Sequence, residues 1–218
     1  MPRFARTASA LAAAVLTAGC SVFGGQAAPE PDYDVLVSEP PFEIRAYPAL
    51  AVARTTAESS RDRAVGRGFG RLFDYISGEN LGEREIAMTA PVVTEPDGTE
   101  IAMTAPVMTE EAGGDGRWTT MFVLPGDMTA ETAPVPADDA VEIATIPART
   151  VAVVRFSGFF SGESVAEERR RLAAWLDARP EEVAGDWQAA GYNPPWTLPW
   201  LRRNEVMVPV SGRAAAGG

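Results

Sequence analysis

One stretch of this chain is written twice. Glu85-Ile86-Ala87-Met88-Thr89-Ala90-Pro91-Val92 returns fifteen residues on as Glu100-Ile101-Ala102-Met103-Thr104-Ala105-Pro106-Val107. In each copy Ile, Met, Ala and Val fall on alternate positions, the period of a half-buried strand. Pro96-Asp97-Gly98 between them reads as a turn. The pair therefore predicts a β-hairpin, with each Pro, which lacks an N–H, kept to an edge or a bulge. Two copies at so short a period exclude a solenoid.

The other elements follow from periodicity. Phe42–Tyr47 alternates apolar and polar, and Leu50–Thr55 continues in extended character beyond a bend at Pro48. Ser59–Ser77 predicts a helix with Val65, Phe69, Leu72, Phe73 and Ile76 as its apolar stripe, Ser59 or Ser60 as cap, and Gly78 beyond its end. Trp118–Leu124, Val141–Ile146 and Thr150–Phe156 predict strands, with a Pro-rich loop over Met128–Ala140. A second helix is predicted from Ser164 to Ala178, opened by a Ser164–Glu167 capping box and facing inward with Val165, Leu172, Trp175 and Leu176. Glu181–Ala190 reads as a short helix and Asn204–Val210 as a last strand. The order looks like two similar halves, each with a helix covering one face of an antiparallel sheet.

Composition excludes several functions. With 46% apolar residues, 218 residues suffice for one α+β domain and a leader. The net charge of −11, with all 19 basic residues Arg, argues against a nucleic-acid partner. The chain has no His, which rules out a Ser-His-Asp triad and any His-ligated metal. Its one Cys, Cys20, rules out an intramolecular disulfide.

That Cys closes an export-like leader. Arg3 and Arg6 precede an apolar run, Ala8–Thr17, too short to span a bilayer, which ends in Leu16-Thr17-Ala18-Gly19-Cys20. The ending resembles the lipobox of bacterial lipoproteins, although Thr17 stands where that family prefers Leu. The resemblance implies a signal peptide over 1–19 and acylation of Cys20. It also implies envelope localisation, with Ser21 pointing to the outer membrane facing the periplasm. The alternative is an ordinary secretory signal or an uncleaved anchor. Residues 20–31 then read as a flexible tether, 32–210 as the domain, and 211–218 as a disordered tail.

Four segments in order resemble the SOUL/heme-binding family. They are Phe42–Tyr47 with Pro48; GFGRLFDYISGEN from Gly68; the two IAMTAPV segments; and Gly191-Tyr192-Asn193-Pro194-Pro195-Trp196 followed by Arg202-Arg203-Asn204-Glu205-Val206. WTTMFVLP from Trp118 and VAVVRFSG from Val151 also fit. The resemblance implies a distorted antiparallel β-barrel from two βαββ-like halves with two helices packed outside. It implies heme or another tetrapyrrole as ligand, held in an apolar cleft beside the first helix. With no His, binding would rest on ring burial in a carrier or buffer rather than an enzyme. The same barrel type serves as the small-molecule effector domain of some bacterial regulators, so a non-heme module for small amphipathic ligands is the alternative.

The first helix carries the candidate site. Gly66, Gly68 and Gly70 each cost about 1 kcal/mol relative to Ala there. Gly66 and Gly70 share a face beside Val65, Phe69 and Phe73, where a flat ring could approach the backbone; the alternative is tight packing on the sheet, or fraying near the helix start. Arg67 and Arg71 are either partners for two propionates or a solvated face. Tyr75 and Tyr47 are either iron ligands or packing residues, and Met88, Met103 and Met121 either ligands or core filler. Tyr192–Trp196 with Trp200 forms either a lip over the cleft or a loop pinned across the barrel end, and Arg202-Arg203 serves the rim or pairs with acids such as Glu205.

Overall fold

The computed structural model describes residues 28–81, 98–112, 116–194 and 196–211. Its elements are β1 (Asp34–Glu39), β2 (Phe42–Tyr47), β3 (Leu50–Glu58), α1 (Arg61–Ile76), β4 (Val107–Glu111), β5 (Arg117–Val123), β6 (Glu142–Ile146), β7 (Arg149–Phe156), α2 (Gly162–Leu176), β8 (Glu182–Val183), β9 (Gln188–Gly191) and β10 (Asn204–Ser211). The strands form one antiparallel sheet in the order β1-β2-β7-β10-β9-β4-β5-β3-β6, with β8 paired to the end of β10. The sheet curls into the expected distorted barrel.

The two halves are visible in the pairing. In the first, β3 leads through α1 to β4 and β5, and the sheet runs β4-β5-β3; in the second, β7 leads through α2 to β9 and β10, and the sheet runs β9-β10-β7. The halves join where β4 pairs with β9, Met108 opposite Ala190. α1 lies on β3 and β5, and α2 lies on β7 and β10.

The central strands β2, β7, β10, β5 and β3 thus have two covered faces, and the core has three layers. Inside the curl, Val52, Met108, Met121, Val123, Val151, Val153 and Met207 pack together with Tyr47 and Tyr192. Outside, Leu72, Tyr75 and Ile76 of α1 cover Ala53 and Phe122, while Leu172 and Leu176 of α2 cover Ile44, Val154, Val206 and Val208. Leu72 and Leu172 are fully buried; truncating either to Ala costs about 2–5 kcal/mol by the usual cavity penalty.

Several expectations change. Gln188-Ala189-Ala190-Gly191 is a strand rather than part of a helix, because it is bonded on both edges, to β4 and β10. The few tenths of a kcal/mol per residue favouring helix for Ala do not compete with that. β1, an edge strand on β2, was not anticipated. The first copy of the repeat lies outside the described residues, and of the second only Val107 enters a strand. β10 runs one residue into the stretch read as tail, to Ser211. The end of the expected tether is held by protein contacts: Pro29 accepts a hydrogen bond from the Ala105 N–H, and Glu30 is paired with Arg203. Cys20 and the leader lie outside the described residues.

Candidate functional site

The geometry of α1 is set by one glycine. The helix buries Ala64, Gly68, Leu72, Tyr75 and Ile76. At Gly68 an added Cβ would lie 2.5 Å from Thr120 Oγ1 and 2.8 Å from Thr120 Cβ, so the helix backbone rests directly on β5. This rotates the buried stripe away from the expected one. Leu72 and Ile76 are in it, but Val65 is only half-buried, and Phe69 and Phe73 remain 38% and 45% exposed.

Val65, Gly66, Phe69, Gly70 and Phe73 are brought together on this exposed edge. The Phe69 and Phe73 rings stack at 6.1 Å and 12°, and Phe69 also meets the buried Phe122 ring edge-on at 5.3 Å. Nothing lies within 4 Å of where a side chain at Gly66 or Gly70 would begin. Tight packing therefore accounts for Gly68 alone. The other two leave a smooth apolar strip beside the two rings.

Arg67, Arg71 and Tyr75 are not part of that strip. Residues two apart on a helix point about 160° from one another, so Arg67 and Arg71 face the flank away from Phe69 and Phe73. Arg67 donates to the Glu58 carbonyl at 3.3 Å, and Arg71 pairs with Asp138 at 3.6 Å. Tyr75 is buried beneath the helix, where its hydroxyl donates to the Pro134 carbonyl at 2.9 Å, and burial pushes it up to about 12. Met121 fills the inner core, Met103 is exposed, and Met88 lies outside the described residues.

Among the described residues the Phe69–Phe73 edge of α1 is open to solvent. The cavity beside Arg71, Asp74 and Tyr75 is about 30 Å³, room for one water. Inside the curl, about 10 Å³ remains among Tyr47, Met108, Tyr192 and Met207. A larger cavity of about 450 Å³ opens at the barrel mouth, between the Glu30–Asp32 segment, the Pro48–Leu50 turn and the Val123–Gly126 end of β5. Among the described residues no group of three or more Cys, Asp or Glu is arranged to hold a metal ion.

The inner face also carries a charge cluster that sequence reasoning only half saw. Glu205 is 0% exposed. It accepts two bonds from Arg45, at 2.9 and 3.1 Å, two from Arg203, at 2.9 and 2.8 Å, and one from the Tyr192 hydroxyl at 2.6 Å. Arg45 also bonds Glu43 and the Tyr47 hydroxyl and lies 4.4 Å from the Tyr33 ring centroid, while Arg203 holds both oxygens of Glu30. Burial alone would raise the Glu205 carboxyl, but its bonds to Arg45 and the charges of Arg45 and Arg203 hold it below the usual range. Arg203 was one reading for Glu205. Arg45 was missed because alternation in Phe42–Tyr47 marks it as a solvent-facing residue, whereas both faces of β2 are covered.

Residues 28–98 and 94–209 match the family model described as SOUL heme-binding protein. Heme-binding protein 2 of Homo sapiens is 32% identical over 171 residues, and that of Mus musculus 31% over 172, each match covering 76% of this chain and 76% of the relative. Among solved structures, the EcmrR C-terminal domain superposes with a TM-score of 0.56 at 12% identity, covering 83% of this chain and 99% of that one. A structure described as a hydrolase from Listeria innocua gives 0.52 at 11%, covering 81% and 94%. At those identities the two structures speak to the fold alone.

Proposed function

Because the chain belongs to the SOUL heme-binding protein family, we propose that it binds heme or another tetrapyrrole against the Phe69–Phe73 edge of α1. It does so as a carrier or buffer in the cell envelope, held to a membrane, the outer one, through acyl chains on Cys20. The leader sequence supports the anchor and the location. The observation that carries the ring site is the pairing of two stacked, exposed phenyl rings with two glycines that face open space. A planar macrocycle laid there would cover apolar surface that water now touches. Bound heme would supply its own iron and π surface. Val65, Phe69 and Phe73 offer that iron no ligand, and the Tyr75 hydroxyl is engaged beneath the helix. Binding is then by ring burial and selects shape rather than metal.

The test is a titration of the full chain in detergent with hemin and, separately, with metal-free protoporphyrin. Both give saturable Soret shifts with similar micromolar affinity, and Gly70→Leu weakens both. Absence of a saturable shift with either overturns the proposal. So does a shift with hemin alone.

The mouth cavity favours a second reading. Its volume suits a small ligand, and Asp32 in its wall suits a cationic amphiphile. Saturable binding of such a compound, with none of porphyrin, selects that reading.

A further inference from the structure

Three aromatic side chains stand out of this molecule for no internal reason. Phe159, Trp196 and Trp200 are 69%, 66% and 68% exposed, more than any other large apolar side chain among the described residues. They belong to two loops fastened to each other. The Gly158 N–H donates to the Pro199 carbonyl at 2.8 Å, and Asn204 Nδ2 donates to the Gly158 carbonyl at 3.2 Å. Arg202 Nε donates to the Thr197 carbonyl at 2.8 Å, and its guanidinium lies 5.9 Å from the Phe159 ring centroid. The rings are thus displayed from a braced platform. Trp196 and Trp200 are exposed to solvent and line none of the cavities described above.

We propose that Phe159, Trp196 and Trp200 seat in the interfacial zone of a phospholipid bilayer and set the orientation of the domain on it. The inference rests on the reading of Cys20 as a lipid anchor. Indole and phenyl rings beside an Arg suit the headgroup boundary, where one end of a side chain is apolar and the other wet. The route of the chain agrees. Arg203, next to Arg202, grips both carboxylate oxygens of Glu30, each at 2.9 Å. The chain therefore enters the domain beside the aromatic loop. Glu30 follows Cys20 by ten residues, a reach of at most about 35 Å, so acyl chains on Cys20 keep this end of the domain near the membrane. The lipid is zwitterionic, because the chain from Cys20 onward, without Arg3 and Arg6, has a net charge of −13 and is repelled by an anionic surface.

The full chain, purified from membranes, is reconstituted into phosphatidylcholine vesicles whose acyl chains carry bromine, a contact quencher of Trp fluorescence. Quenching is expected, and it falls at least tenfold in the triple variant Phe159→Ser/Trp196→Ser/Trp200→Ser, whose melting temperature and porphyrin titration are unchanged. Mass spectrometry of Cys20 in the same sample reads the anchor separately. Acylated Cys20 without quenching overturns the patch and leaves the anchor standing. Quenching with unmodified Cys20 overturns the anchor and leaves the patch standing. Quenching of equal strength in the triple variant overturns the patch. So does its absence together with sedimentation as a dimer that the triple variant abolishes, which assigns the surface to a second copy.

Discussion

The two halves share one scaffold and treat the aromatic edge of their helix in opposite ways. On α2, Trp175 stacks on Phe42 at 5.1 Å and 11°, and Arg179 lies 4.0 Å from its ring centroid while also bridging Glu39. That edge is covered by β1, by β2 and by the helix end. On α1, Phe69 and Phe73 stack on each other, Phe69 meets Phe122 edge-on, and among the described residues both rings remain partly open to water. The fold therefore does not require an exposed aromatic edge, and where one is kept it is open to a ligand. A second contrast lies between two two-pronged Arg–Glu pairs: Arg45–Glu205 is buried, while Arg54–Glu142 is largely exposed.

The buried pair gives the largest expected effect. Glu205→Ala strands Arg45 and Arg203 without their shared carboxylate, and breaking such a pair costs about 3–5 kcal/mol. Glu142→Ala removes a solvent-screened pair and costs about 0–1 kcal/mol. Urea unfolding of the two variants measures the difference, and equal losses would break the comparison. The pH dependence has a definite sign. The Glu205 carboxyl is held below its unfolded value, so its stabilisation is complete above about 4.3, the ordinary Glu value, and is lost as pH falls below that. Glu205→Gln should flatten this acid limb, and Glu142→Gln should leave it unchanged.

The glycines of α1 give a middle-sized effect with two signs. Gly68→Ala forces a methyl into Thr120, which is fully buried and cannot yield, and costs about 1–3 kcal/mol as overpacking does. Gly66→Ala and Gly70→Ala add a methyl to open space and gain up to about 1 kcal/mol of helix propensity each. If all three destabilise by thermal melting, the strip beside Phe69 and Phe73 is not open, and the ring site loses its footing.

These glycines also show what the sequence could and could not disclose. The existence and limits of α1 and β2 were legible, because both carry a clean period and end in turn residues. Which face of α1 is buried was not. Its centre is Gly68, which adds nothing to a hydrophobic stripe, so Phe69 and Phe73 were counted as core in its place. β9 was read as helix because Ala189 and Ala190 favour one, and the pairing that overrides them comes from β4 and β10, far away in the chain. Arg45 and Glu205 lie 160 residues apart, and nothing local marks either as buried. Of the candidate site, Val65, Gly66, Phe69, Gly70 and Phe73 converge. Arg67, Arg71 and Tyr75 do not, because one helix cannot turn residues spaced by two to the same side.

The helix starts give the smallest expected effect and the finest test of the contrast between halves. α2 begins with a reciprocal cap one turn earlier than its sequence suggested. Ser161 Oγ accepts from the Ser164 N–H at 3.2 Å, and Ser164 Oγ accepts from the Ser161 N–H at 3.0 Å. At α1 the N-cap is Ser60, whose side chain makes no capping bond. Ser161→Ala should therefore cost about 1 kcal/mol, and Ser60→Ala only a few tenths. Both follow from chemical denaturation of the full chain. A loss at Ser60 as large as that at Ser161 would mean that the start of α1 is as firmly fixed as that of α2. The tight α2 and the looser α1 would then differ only in their exposed rings, and the case for α1 as the binding helix would rest on Phe69 and Phe73 alone.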